Sequence, residues 1–180
     1  MRIKAFEKRY PHATLTFDDV VIHQRCVGIA GKNGSGKSTY LKSLAGLIQS
    51  NPNVSLAHTA YLDHHTWIPD GILTQTFAHR LKHLLKVDEG RYHALYEAFK
   101  LSLIDFKKTH ECSKGMRQKW LLSLCLASPK TLLLDEPEDG LDAHALKVFM
   151  ACLQNRRETT FIATHQPQRY DSLAMQWIHL

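Results

Sequence analysis

What this chain lacks narrows its class before any motif is considered. Its four cysteines, Cys26, Cys112, Cys125 and Cys152, form no paired motif, which argues against a disulfide scaffold and suits a reducing compartment. Its longest apolar stretches, such as Trp120 to Ala127 with its break at Ser123, fall well short of the roughly 20 residues that span a bilayer. The opening Met1-Arg2-Ile3-Lys4 has no apolar core, so no secretory leader is expected. There are no repeats and no low-complexity linkers. Basic residues outnumber acidic ones, 23 against 17, for a formal charge of +6. No Lys/Arg-rich run is interleaved with aromatics, however, so nucleic acid is not the expected partner. With 180 residues, 44% of them hydrophobic, the chain is long enough for one compact core and too short for two comfortable domains.

Against these absences stands one dense motif. Gly31-Lys32-Asn33-Gly34-Ser35-Gly36-Lys37-Ser38-Thr39 satisfies G-x-x-x-x-G-K-[ST] in full and follows an apolar, strand-like run from Val27 to Ala30. Glycines at 31, 34 and 36 let the backbone curl so that successive N–H groups face an anion. The helix expected to open near Lys37 adds unpaired N–H groups and the positive end of its dipole. Lys37 supplies a charge toward the β/γ-phosphates of a nucleoside triphosphate. Ser38 can place a hydroxyl on Mg²⁺, and Thr39 can reach the α-phosphate side. Tyr40, Leu41, Leu44, Leu47 and Ile48 continue with helical spacing, and Gly46 reads as an internal glycine.

A second site lies far downstream. Thr131-Leu132-Leu133-Leu134 is a strand-length apolar run ending in Asp135-Glu136-Pro137, the pattern of a buried parallel strand that delivers acids to its carboxyl edge. Consecutive strand side chains face opposite ways, so the two acids should have different jobs. Asp135 is expected in the Mg²⁺ shell and Glu136 as the base that polarises water.

These motifs, in this order over nearly the whole chain, resemble the ATP-binding subunits of ABC (ATP-binding cassette) transporters, of a compact, export-like type. The resemblance implies further roles. The family signature matches Cys112-Ser113-Lys114-Gly115-Met116, with Ser113 and Gly115 retained and Cys112 and Lys114 as departures. It implies that Ser113 touches the γ-phosphate held by a second subunit. The D-loop is similar at Glu138 to Asp142, where Asp142 would shape the dimer contact and is also a good helix N-cap. The switch histidine looks to be His165, after Phe161-Ile162-Ala163-Thr164. No glutamine occupies the Q-loop; His64 takes its place, with Asp63 and His65 as alternatives. Tyr10 is the aromatic candidate for stacking on adenine, or else a turn residue before Pro11. No guanine-reading N-K-x-D motif is present, so ATP with Mg²⁺ is the expected ligand pair.

The expected fold is an α/β P-loop ATPase of ABC type, one domain over residues 1–180, with a central, mostly parallel sheet. An antiparallel β edge over Met1 to Ile22 and a helical insert at about 65–112 complete it. Short strands are expected over Val54 to Leu62, and helices over Ile72 to Leu85, Arg91 to Leu103, Met116 to Ala127 and Ala143 to Leu153. The resemblance implies a transport motor at the cytoplasmic face of a membrane, paired with a second ATPase subunit, identical or related, and with a membrane-embedded subunit. A soluble ABC-type ATPase acting on nucleic acid or ribosomes would share the motifs and is the alternative.

Overall fold

The computed structural model describes residues 1–63, 66 and 68–180. They form two compact units: Met1–Tyr61 with Thr131–Glu136 and Arg157–Leu180, and Leu62–Lys130 with Pro137–Arg156.

The first unit begins with two antiparallel pairs. β1 (Arg2–Ile3) pairs with β4 (Val20–Val21), and β2 (Phe6–Tyr10) with β3 (Ala13–Phe17), in register Phe6↔Phe17 to Tyr10↔Ala13. The antiparallel edge expected over Met1 to Ile22 is therefore two separate pairs. β5 (Cys26–Ala30) is buried at every residue, as a strand covered on both faces requires. It leads through the glycine loop into α1 (Lys37–Leu44). β6 is shorter than expected, Thr59–Leu62 alone. β7 (Thr131–Asp135), β8 (Thr160–Thr164) and β9 (Met175–His179) complete a five-stranded sheet in the order β6-β7-β8-β5-β9. β5 runs parallel to both β8 and β9, and β7 to β8. The unit's core joins Ile3, Phe6, Phe17, Val27, Ile29, Tyr40, Leu41, Leu44, Leu133 and Phe161.

Gly46 is not internal to α1. At φ 70 it stops the helix, with its own N–H donating to Ser43 O and that of Leu47 to Lys42 O. That paired closure is the ordinary left-handed helix ending, which glycine adopts without a Cβ penalty.

The second unit is helical: α2 (Thr74–Leu85), α3 (Glu89–Ala98), α4 (Lys114–Leu126) and α5 (Ala143–Asn155). The pattern expected to run to Leu103 breaks after Ala98, and Leu101–Ile104 forms a 3₁₀ turn entered through Lys100 at φ 56. Three N-caps are explicit in sequence chemistry. Asp88, Ser113 and Asp142 accept hydrogen bonds from Arg91 N, Met116 N and Ala145 N. Arg156 is buried and donates to the carbonyls of Leu126, Ser128 and Lys130, which fastens the chain after α4. No helix among the described residues is long and apolar enough to cross a membrane.

Candidate functional site

In the first unit, β5 delivers the glycine loop and α1 carries its residues onward. Gly34 and Gly36 take φ 83 and 103, the left-handed conformations the loop reading called for. Gly31 serves differently: a Cβ there would lie 2.4 Å from Ser35 Oγ and 2.6 Å from Leu180 O, so what it supplies is space. Ser35 N donates to Lys32 O at 3.1 Å, which tightens the loop. Lys37 is buried, and its Nζ donates to Gly31 O and Lys32 O at 2.9 and 3.1 Å. An ammonium has three N–H groups, so one more can reach an anion.

A cavity of about 370 Å³ opens here, lined by Leu15, Asn33, Gly34, Gly36, Lys37, Ser38, Thr39 and Glu136. The loop from β5 and the acid at the end of β7 therefore share one chamber. Asp135 is the last residue of β7 and only 5% exposed; Glu136, beyond it, takes φ 51. A left-handed conformation costs a residue with a Cβ about 1–2 kcal/mol, and strain of this kind collects at functional positions. His165 Nδ1 lies 3.1 Å from Glu136 Oε1, on the far side of β8 in sequence but next to β7 in the sheet. Gln166 Nε2 is 2.9 Å from His165 Nε2. The His165 ring thus stands between the Glu136 carboxylate at Nδ1 and the Gln166 amide at Nε2.

Two contributors had no signal in the sequence. Gln166 carries no motif of its own. Tyr61 donates its hydroxyl to Asp135 Oδ2 at 3.2 Å across 74 residues, a contact that only the adjacency of β6 and β7 creates. Tyr10 is 43% exposed at the end of β2, and its hydroxyl lies 3.0 Å from Thr39 Oγ1, which ties the expected stacking residue to the phosphate loop.

In the second unit, Ser113 Oγ accepts from Met116 N at 3.2 Å, which leaves the hydroxyl proton to be donated elsewhere. Gly115 is held to its type by a close approach, since a Cβ there would sit 2.6 Å from Gly140 O. The signature and the D-loop are thus packed backbone to backbone. Lys114 lies 3.9 Å from Asp139, and Lys119 donates to Asp142 at 3.2 Å. The N–H of Ala145, with Lys119 beside it, holds the Asp142 carboxyl below the usual range. His64 and His65 lie outside the described residues; Asp63 exchanges hydrogen bonds with Thr66. A groove of about 360 Å³ in this unit is lined by, among others, His79, Lys82, Tyr92, Asp105 and Trp120.

The family model for ABC transporters matches residues 20–139, two thirds of the chain and both nucleotide motifs. The chain belongs to the ABC transporter family. This ABC domain is similar to the zinc uptake system ATP-binding protein ZurA of Listeria monocytogenes, at 29% identity over 166 residues, covering 77% of the chain and 65% of that protein. It is also similar to an uncharacterised ABC transporter ATP-binding protein, YhaQ, of Bacillus subtilis, at 26% identity over 190 residues, covering 90% and 64%. The ABC domain therefore spans about two thirds of the length of these relatives. Among solved structures, an ATP-binding subunit of an ABC transporter superposes with a TM-score of 0.79 at 22% identity, covering 94% of the chain and 82% of that one. At that identity the likeness shows the P-loop ABC ATPase fold. The family is one of ATP-binding ATPase domains.

Proposed function

We propose that the chain is the ATP-hydrolysing, Mg²⁺-dependent motor of an ABC transporter, acting as one of two facing ABC domains beneath a membrane-embedded subunit at the cytoplasmic face. The observation that carries this reading is the chamber in which Lys37, Ser38, Thr39 and Glu136 converge, because it sets a phosphate cradle and a carboxylate base around one volume. The loop residues Gly31 to Thr39 hold the triphosphate through backbone N–H groups, Lys37 and the α1 N-terminus. Tyr10, tied to Thr39, lies on the adenine side.

The metal donor set fits. Ser38 offers a hydroxyl and Asp135 a carboxylate, both hard oxygens of the kind Mg²⁺ prefers. Asp135 is only 5% exposed, and buried carboxylates are found hydrogen-bonded, paired or on metals. Mg²⁺, when bound, would offset charge on the β- and γ-oxygens. Glu136 takes a proton from the attacking water, and His165 orients that carboxylate through Nδ1–H while its own ring is held by Gln166. His64, in the Q-loop place, is assigned to sensing the same site. Ser113, Gly115 and Asp142 form the surface that closes on the cradle of the second protomer, with the Ser113 hydroxyl donating to the γ-phosphate.

Two experiments test this. Lys37→Ala should abolish tight ATP binding in calorimetry, and unchanged affinity sinks the cradle. Purification from detergent-solubilised membranes should bring down a partner with several spans; recovery of ribosomes or nucleic acid instead would favour the soluble alternative.

A further inference from the structure

The second acid site and the phosphate helix are linked by a side chain with no assigned role. Tyr61 sits on β6, whose neighbours Ala60 and Leu62 are 7% and 3% exposed; the tyrosine, on the opposite face, is half-buried. Its hydroxyl donates to Asp135 Oδ2 at 3.2 Å. Its ring lies 5.9 Å from Lys42 Nζ, on the same α1 helix that begins with Lys37 and Ser38. One residue thus touches both the strand that carries Asp135 and the helix that carries Ser38.

We propose that Tyr61 is a positioning residue for the metal-holding carboxylate; this rests on the reading that Asp135 belongs to the Mg²⁺ shell. A carboxylate free to rotate about its Cβ–Cγ bond presents its oxygens in a spread of directions. A hydrogen bond to one oxygen stops that rotation and commits the other to the ligand side. The donor's chemistry matters as well. A phenol donates without bringing a positive charge that would compete with a divalent cation for the carboxylate. An ammonium or guanidinium in the same place would neutralise it. Partners that hydrogen-bond a ligating carboxylate are worth about 10–100-fold in metal affinity. The ring contact with Lys42 fixes where the phenol can stand, so the hydroxyl is aimed from two elements at once.

Tyr61→Phe removes the hydroxyl and keeps the ring, its packing and its face toward Lys42. The test titrates Mn²⁺ into the full chain with saturating AMP-PNP and follows protein-held Mn²⁺ by electron paramagnetic resonance, for wild type, Tyr61→Phe and Asp135→Asn. The expected result is Mn²⁺ affinity lowered by about 10–100-fold in Tyr61→Phe, with AMP-PNP affinity in EDTA and the melting temperature unchanged. Unchanged Mn²⁺ affinity in Tyr61→Phe, together with a loss in Asp135→Asn, overturns the role of Tyr61 and leaves Asp135 in place. No loss in either variant overturns both. An equal loss of AMP-PNP affinity in EDTA would make the hydroxyl a structural prop and also overturn the proposal.

Discussion

At Glu136 the backbone takes φ 51 and the carboxylate is held 3.1 Å from His165 Nδ1. Glu136→Gln keeps the shape and removes the base, so hydrolysis should fall by about 10²–10⁴ while ATP still binds; turnover at the normal rate in a single-cycle assay would contradict the assignment. The cysteines give a different residue-scale expectation. Burial pushes the thiols of Cys26 and Cys125 up to about 12. An unfolded thiol ionises near about 8.5. The folded pKa values are raised, so this contribution to stability is complete below that point and is lost as pH rises toward 12, because the unfolded chain sheds its protons first. Denaturant unfolding should show stability falling between these limits, and Cys125→Ala should flatten the slope even though it lowers stability overall. At this scale the cradle from Gly31 to Thr39 was readable because its geometry is local and contiguous. Tyr61 on Asp135 and Gln166 on His165 were not, because neither residue type in its own neighbourhood announces a partner.

Elements repeat the lesson with different physics. The strands β5, β7 and β8 were legible as apolar runs, since strands covered on both faces leave no place for alternation. The cap at Asp142 was legible as a side chain able to accept from an N–H three residues on, whereas the cap at Ser113, which starts α4 at Lys114, was not. The ending of α1 at Gly46 and the break after Ala98 were misread, because helical spacing persists past both points while backbone φ does not. Gly28 shows what the pattern hides. In the β5–β9 register it faces Trp177, and a Cβ there would lie 2.2 Å from the indole ring. Gly28→Ala should therefore destabilise the chain by about 1–3 kcal/mol, the usual range for overpacking. Trp177→Leu on the same background should recover part of the loss in urea unfolding. Equal stability of wild type and Gly28→Ala would show that the ring moves aside freely.

On the scale of the whole molecule, the candidate site residues are divided between the two units. The first holds the cradle, Asp135, Glu136 and His165; the second holds Ser113, Gly115 and Asp142. If the two sets meet between protomers, ATPase activity per protomer should rise with protein concentration and collapse on dilution; constant specific activity at every dilution would rule out the paired site. What the sequence determined by itself was what neighbours along the chain carry: the nine-residue loop, the apolar strand ending in two acids, the Asp142 N-cap and the ABC resemblance. Tertiary structure alone decided the strand order β6-β7-β8-β5-β9, and with it which distant residues share the chamber. The reason is physical. Turns, caps and loop conformations are set by dihedral preferences and bonds a few residues long. A parallel ladder joins segments whose separation carries no local trace, so the meetings of Tyr61 with Asp135 and of His165 with Glu136 exist only once the sheet is built.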